Sequence, residues 1–246
     1  MIPLGNLIGW EWSHLGSEFQ LSFNPMEGKH LPEHFVTANT DEISRALRLA
    51  QHAFEHFSGL AGEKRAQFLE QIAQAIETLG DSLLDRCHRE TGLPMARLAG
   101  ERGRTCNQLR LFAQLARSES WRAPVLDLAD PERKPLPKPD IRTCFAALGP
   151  VLVFSAGNFP LAFSVAGGDT ASALAVGCPV IVKGHEGHLG TSALVADCIR
   201  QAGLATGMPE GTFQMLQGPG PQVGRSLVLG EPIRAVGFTG SLHAGR

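Results

Sequence analysis

Residues 149–186 read GPVLVFSAGNFPLAFSVAGGDTASALAVGCPVIVKGHE, and this stretch decides the fold. Residues 151–154 (VLVF) are a continuous apolar run, as expected of a strand covered on both faces. Residues 155–160 (SAGNFP) break the run with a polar turn. Residues 161–176 then carry Ala, Gly and Ser densely enough for a helix to lie close against a sheet, and 179–182 (PVIV) supply the next strand. Strand, turn, helix and strand in that order make one βαβ unit with parallel strands. In doubly wound sheets, ligands bind beyond the carboxyl ends of the strands. Those ends carry Ser155-Ala156-Gly157-Asn158 and Lys183-Gly184-His185-Glu186, so the sequence places a binding site there.

Downstream the alternation continues, with a helix over 191–202 closed by Gly203, a strand over 212–216, a helix over 221–229 and a strand over 233–238. Four parallel strands are expected. Upstream, residues 1–38 read as irregular strands and a peripheral hairpin, with a strand over 18–23 ending at the turn 24–28. Thr40 is the expected cap of a helix whose stripe is Ile43, Leu47, Ala50, Phe54 and Phe57. Apolar periodicity marks a second helix ending at Gly80, a third ending at Thr91-Gly92, and a long fourth from Pro94 through Arg117. The many charges on these helices read as solvated faces. Residues 122–140 hold five prolines and no helical period, which reads as an extended connection or edge hairpin, and a strand pattern resumes over 141–148. The expected division is therefore 1–121, strands and helices; 122–148, extended hairpin; and 149–246, the βαβ part.

With 43% hydrophobic and 19% charged residues, the 246-residue chain can bury a globular core. A net charge of −2, with no basic block, gives no partner for a nucleic acid backbone. No apolar run approaches the roughly 18 residues of a membrane span, and the start lacks a secretory pattern, so a cytoplasmic protein without a membrane partner is expected. The five cysteines are scattered and never in CxxC, the pattern of buried free thiols. The nine histidines are read as forming no HExxH or other helical ligand pair, His185 and His188 are assigned to a glycine-flanked loop, and no metal site is expected.

No GxGxxG follows the first strand, so the standard dinucleotide fingerprint is absent. A third strand-end loop carries Thr239-Gly240-Ser241, with Gly245 following. The ordered segments IGWEW, FNPMEGK, ETGLP, GNFPL, VIVKGHE, GMPEGTFQMLQGPG and VGFTGSLHAGR resemble the aldehyde dehydrogenase superfamily from about Leu7 to Arg246. GNFPLAF with KGHEGHLGTSALVA is similar to the α-ketoglutaric semialdehyde dehydrogenase branch. The resemblance implies an α/β fold: a Rossmann-type parallel sheet, an N-terminal helical segment and an extended edge hairpin of the oligomerisation type. It also implies an NAD or NADP cofactor, an aldehyde substrate and, for the complete enzyme, a homo-oligomer.

The same resemblance assigns roles. Lys183 and Glu186 match a Lys-x-x-Glu that holds the adenosine ribose; an ammonium donates to ribose oxygens and a carboxylate accepts from the hydroxyls. Glu186 beside a 2′-phosphate would cost about 1–4 kcal/mol, favouring NAD unless it swings out and His185, His188 or Lys183 faces the phosphate. Gly240, Ser241 and Gly245 match the pyrophosphate segment, where glycine permits close backbone approach. Ser155, Ala156 and Phe238 fall on the cofactor side, and Gly220 matches a glycine on the adenine side, although a plain turn glycine reads the same way. Asn158 matches the asparagine whose amide binds the developing oxyanion. In the family a glutamate base and a cysteine nucleophile follow FTGS, and no cysteine here matches that position. The resemblance thus implies a cofactor-binding half whose catalytic domain is absent from these residues. The alternatives are a non-catalytic nucleotide-binding module and a remnant that pairs with a homologue through an exposed sheet edge.

Overall fold

Strands β1 (Asn6–Ile8) and β2 (Glu11–Ser13) open the chain, followed by the hairpin β3 (Phe19–Asn24) and β4 (Lys29–Val36). Four helices come next: α1 (Thr40–Phe57), α2 (Gly62–Thr78), α3 (Asp81–Thr91) and α4 (Met95–Ser118). A small hairpin pairs β5 (Val125–Asp127) with β6 (Ile141–Thr143). The remainder alternates as β7 (Val151–Phe154), α5 (Gly168–Val176), β8 (Val180–Lys183), α6 (Leu189–Thr206), β9 (Phe213–Leu216), α7 (Arg225–Val228) and β10 (Ala235–Phe238). This computed structural model describes residues 1–245; Arg246, which ends the VGFTGSLHAGR segment, lies outside the described residues.

The main sheet has the order β10-β7-β8-β9-β1-β2. Its first four strands are the expected parallel set, in registers that align Phe238, Phe154, Lys183 and Leu216 along one edge. That alignment brings the strand-end loops together. Side chains alternate across a strand. Val153, Val180, Val182 and Met215 therefore pack with α2, α4, α5 and α6 in the larger core, while Leu152, Ile181 and Leu216 meet α1 and α7 in the smaller one. Both faces are covered, which is why VLVF and VIV read as unbroken apolar runs.

Several expectations are corrected. The N-terminal strands are not all peripheral: β1 joins β9 antiparallel, because fully buried Leu7 and Ile8 complete the sheet and Asn6 Oδ1 accepts the Gln217 N–H at 2.8 Å. Asn39, not Thr40, caps α1, through a capping box in which Asn39 Oδ1 accepts from Glu42 N (2.9 Å) and Glu42 Oε2 accepts from Asn39 N (3.0 Å). The helix expected over 161–176 begins only at Gly168, because the preceding turns lend backbone groups to other elements, such as the Phe163 carbonyl that takes the Ala156 N–H at 2.8 Å. The helix over 221–229 is a π-helical turn, Gly220–Gly224, followed by α7. The strand over 141–148 stops at Thr143.

Charge on the helices is not all solvated. Arg65, Arg86, Glu90 and Glu101 are buried, each held by hydrogen bonds across elements. Four thiols are buried as expected, but Cys144 is exposed. His52 and His56 form an i,i+4 pair on α1 with Glu55 between them, the helical pair thought absent; their ring centroids lie 5.3 Å apart and all three side chains are exposed. Among the described residues no helix is long and apolar enough to cross a membrane.

Candidate functional site

A crevice of about 1300 Å³ lies beyond the carboxyl ends of β7, β8 and β10. Ser155, Asn158, Lys183, Glu186, Gly220, Phe238, Gly240, Ser241 and Gly245 all border it. Ala156 does not: it is 1% exposed and its backbone is consumed inside the protein, the N–H by the Phe163 carbonyl and the carbonyl by His188 Nε2 at 2.9 Å. That expectation of cofactor contact is corrected to a structural place.

Lys183 ends β8 and is only 5% exposed, with Nζ 3.6 Å from Glu186 Oε1. Burial pushes the Lys183 amine below the ordinary lysine value and the Glu186 carboxylate pushes it back up, with the burial prevailing. Glu186 stands in a short 3-10 turn, Glu186–His188, and its Oε1 also accepts the Gly220 N–H at 3.1 Å, tying the β8 loop to the β9 loop. The Ser155 hydroxyl is buried with no hydrogen-bond partner, a polar atom left free at the crevice wall. Glycines keep the wall thin. A Cβ at Gly240 would lie 2.6 Å from the Phe238 ring, and one at Gly157 would lie 2.6 Å from the His185 ring.

His185 and His188 stack with centroids 5.3 Å apart and an interplanar angle of 18°. His188 is fully buried; bonding to the Ala156 carbonyl requires Nε2–H, so Nδ1 accepts from the Ser192 hydroxyl at 3.0 Å. Burial depresses its basicity. The same burial, with the neighbouring His188 and Lys183, lowers His185 to about 4. Both rings are neutral near pH 7. His188 clamps the β7 loop to α6 and has no edge left for a ligand.

The sequence reading missed the charges beneath these loops. Glu90, from α3, accepts from Gly190 N (2.7 Å), Thr191 N (2.8 Å) and Thr191 Oγ1 (2.7 Å), so a carboxylate on another helix caps the first turn of α6. Burial pushes the Glu90 carboxyl up, but the Arg86 charge and the hydrogen bonds from Arg86, Ser22 and Thr191 outweigh it and hold it below the usual carboxylate value. Glu101, from α4, accepts from Leu161 N (2.8 Å) and Ala162 N (3.0 Å), and Arg97 donates to the Asn158 carbonyl at 2.6 Å. Arg86 and Glu90 are four apart in sequence, the spacing of an ordinary surface pair. Nothing local distinguishes them from one.

A sheet whose ends gather a lysine, a glutamate, an asparagine and thin glycine walls can hold a polar, extended ligand across the strand ends. The pattern of the aldehyde dehydrogenase family matches residues 12–246. The chain belongs to the aldehyde dehydrogenase family. Among aldehyde dehydrogenases, α-ketoglutaric semialdehyde dehydrogenase 2 of Azospirillum brasilense is 54% identical over 226 residues, covering 91% of this chain and 43% of that protein. An α-ketoglutaric semialdehyde dehydrogenase of Acinetobacter baylyi is 49% identical over 211 residues, 86% of this chain and 40% of that one. In fold, a point mutant of betaine aldehyde dehydrogenase from Staphylococcus aureus, in complex with NAD+, superposes with a TM-score of 0.86 at 22% identity, over 100% of this chain and 48% of that chain. The chain thus spans less than half the length of these aldehyde dehydrogenases.

Proposed function

We propose that this chain forms the cofactor crevice and oxyanion amide of an NAD(P)-dependent aldehyde dehydrogenase that oxidises an aldehyde, α-ketoglutaric semialdehyde in particular, to a carboxylate. The observation that carries the reading is the gathering of Asn158, Lys183, Glu186 and the Gly240-Ser241 loop around one crevice at aligned strand ends. The two relatives at 54% and 49% identity, both named for that aldehyde, support the substrate. The residues present fit a dinucleotide. The orphaned Ser155 hydroxyl offers it a polar contact, and a Cβ at Gly157 or Gly240 would meet the His185 or Phe238 ring, so glycine there leaves backbone open to it.

NAD(P), when bound, supplies the hydride acceptor. This chain's residues bind and orient. Lys183 donates to ribose oxygens and Glu186 accepts from ribose hydroxyls, while Gly240, Ser241 and Gly245 line the pyrophosphate side, and Gly220 and Phe238 the remaining walls. The Asn158 amide donates to the carbonyl oxygen as negative charge develops. Among the described residues no cysteine borders the crevice, and burial pushes the Cys87, Cys106 and Cys198 thiols up to about 12, 11 and 12. We therefore read the nucleophile and the general base as lying outside these residues, so that the chain binds cofactor without turning over alone. NAD is preferred to NADP, because Glu186 repels a 2′-phosphate, His185 is neutral and His188 is consumed. In the three-part division 1–121, 122–148 and 149–246, the middle part is read as an oligomerisation segment, since Leu126, Leu128 and Leu136 are exposed on it.

Calorimetry tests the reading. NAD should bind with measurable heat, NADP more weakly, and K183M should weaken NAD. No heat with NAD at millimolar concentration rejects it.

A further inference from the structure

Helix α4 carries five arginines: Arg97 and Arg104, seven residues apart, share one face, Arg110 and Arg117 lie toward the opposite face, and Arg102 donates to the Gly80 carbonyl at 2.7 Å. Arg110 and Arg117 are neutralised by α2 carboxylates, at 2.7 Å from Glu77 and 2.6 Å from Glu63. Arg97 and Arg104 are exposed, and neither has a carboxylate within 4.0 Å among the described residues. The intervening Glu101 is buried, with its Oε1 taken by the Leu161 and Ala162 N–H groups, and pairs with neither arginine. These two exposed cations lack the carboxylate partner that Arg110 and Arg117 have.

Their seats are specific. The Arg97 guanidinium lies 5.1 Å over the Phe159 ring and that of Arg104 lies 5.6 Å over the Phe163 ring. The two rings meet edge to face at 5.2 Å, forming one aromatic ledge. Arg97 Nη2 bonds the Asn158 carbonyl at 2.6 Å, so the ledge begins at the residue proposed to hold the reacting carbonyl. A guanidinium held over an aromatic ring still has N–H donors to offer a ligand, at Arg97 those not given to the Asn158 carbonyl, and planar guanidinium donors suit the oxygens of a carboxylate.

We propose that Arg97 and Arg104, seated on Phe159 and Phe163, receive the carboxylate at the far end of a short aldehyde acid whose carbonyl lies at Asn158. The proposal rests on the aldehyde dehydrogenase reading above and deepens it. It gives this chain, and not only the remainder of the enzyme, a part in choosing acidic aldehydes over neutral ones. The ledge packs against the apolar stem of the substrate while the two forks hold its charged end. Arg97 and Arg104 are specificity-determining residues with no part in proton or hydride transfer.

The test uses the 246-residue chain, with and without NAD, and 2-oxoglutarate as probe, because it carries the same 2-oxo-carboxylate end as the proposed substrate. Titration followed by NMR should shift the arginine Nε–H signals of Arg97 and Arg104 and the Asn158 side-chain amide. The double variant R97Q/R104Q should weaken 2-oxoglutarate about tenfold and lose most of the salt dependence. R110Q, on the same helix but paired with Glu77, should bind 2-oxoglutarate as the parent does. Undiminished binding by R97Q/R104Q, or no binding by the parent, overturns the subsite. Calorimetric NAD binding by the parent and by R97Q/R104Q reports separately on the dinucleotide reading, so failure of either reading is seen independently of the other.

Discussion

Replacing Glu90 by alanine should cost this protein about 3–5 kcal/mol, more than any surface carboxylate would. The Glu90 side chain is fully buried and pairs with Arg86 at 2.9 Å, where the arginine side chain is itself 4% exposed. Removing one partner of a buried pair costs about 3–5 kcal/mol, because the other charge is left unpaired in low dielectric. Part of that cost is relieved by Glu33, which stays 2.8 Å from Arg86. The Gly190 and Thr191 N–H groups are also orphaned, and a lost helix cap is worth about 0.5–2 kcal/mol. The two costs share one carboxylate and do not add, so the total stays near the range of the buried pair. For a chain of this size the melting midpoint should fall by about 6–20 °C. Urea denaturation of E90A against the parent measures the free energy. E90L/R86M should recover much of the loss, since both buried charges go together and Glu33, whose side chain is 26% exposed, keeps contact with water. A loss below about 1 kcal/mol, or a double variant as unstable as E90A, refutes the idea that Glu90 holds the first turn of α6 by charge.

Three further outcomes follow from the same geometry. His185 titrates near 6.5 when unfolded and about 4 when folded, so below pH 6.5 the unfolded chain binds a proton that the folded chain refuses. Stability should therefore fall as pH drops through that window, by about 2 kcal/mol at pH 5, and be unaffected above it; urea curves of H185N should show a smaller drop, and identical drops refute the assignment. Native protein at pH 8 should react with a thiol reagent at exposed Cys144 and leave the four buried cysteines intact, all five reacting in denaturant; rapid modification of Cys87 or Cys198 in the native state contradicts their burial. Gly62→Ala should cost about 1–3 kcal/mol, because its Cβ would meet the Ala116 carbonyl oxygen where α2 crosses the end of α4; an unchanged denaturation midpoint refutes that close approach.

Hydrophobic pattern made the four parallel strands and the four helices legible, because a strand covered on both faces reads as an unbroken apolar run and a half-buried helix as a stripe. The same rule pointed to the ends of VLVF and VIVK, where the crevice lies, and the ordered motifs identified the family before any coordinates. Short-range rules failed where distant chain lent a group. Asn39 took the cap expected of Thr40 because Glu42 answers it across the capping box while also receiving the Ser13 hydroxyl at 2.5 Å. The turns after Asn158 replaced the start of a helix because Glu101, 60 residues away, satisfies their N–H groups.

The sequence by itself determined the alternation of strands and helices, the parallel strands and which loops would share an edge, since these depend on local periodicity. Only the tertiary structure decided which charges are interior and what they hold. It made Glu90 the cap of α6, left His188 without a free edge, took Ala156 off the crevice wall, and seated Arg97 and Arg104 on Phe159 and Phe163 without a carboxylate partner among the described residues. A charge has no period, and its worth depends on burial and on partners up to about a hundred residues away, which no local spacing encodes.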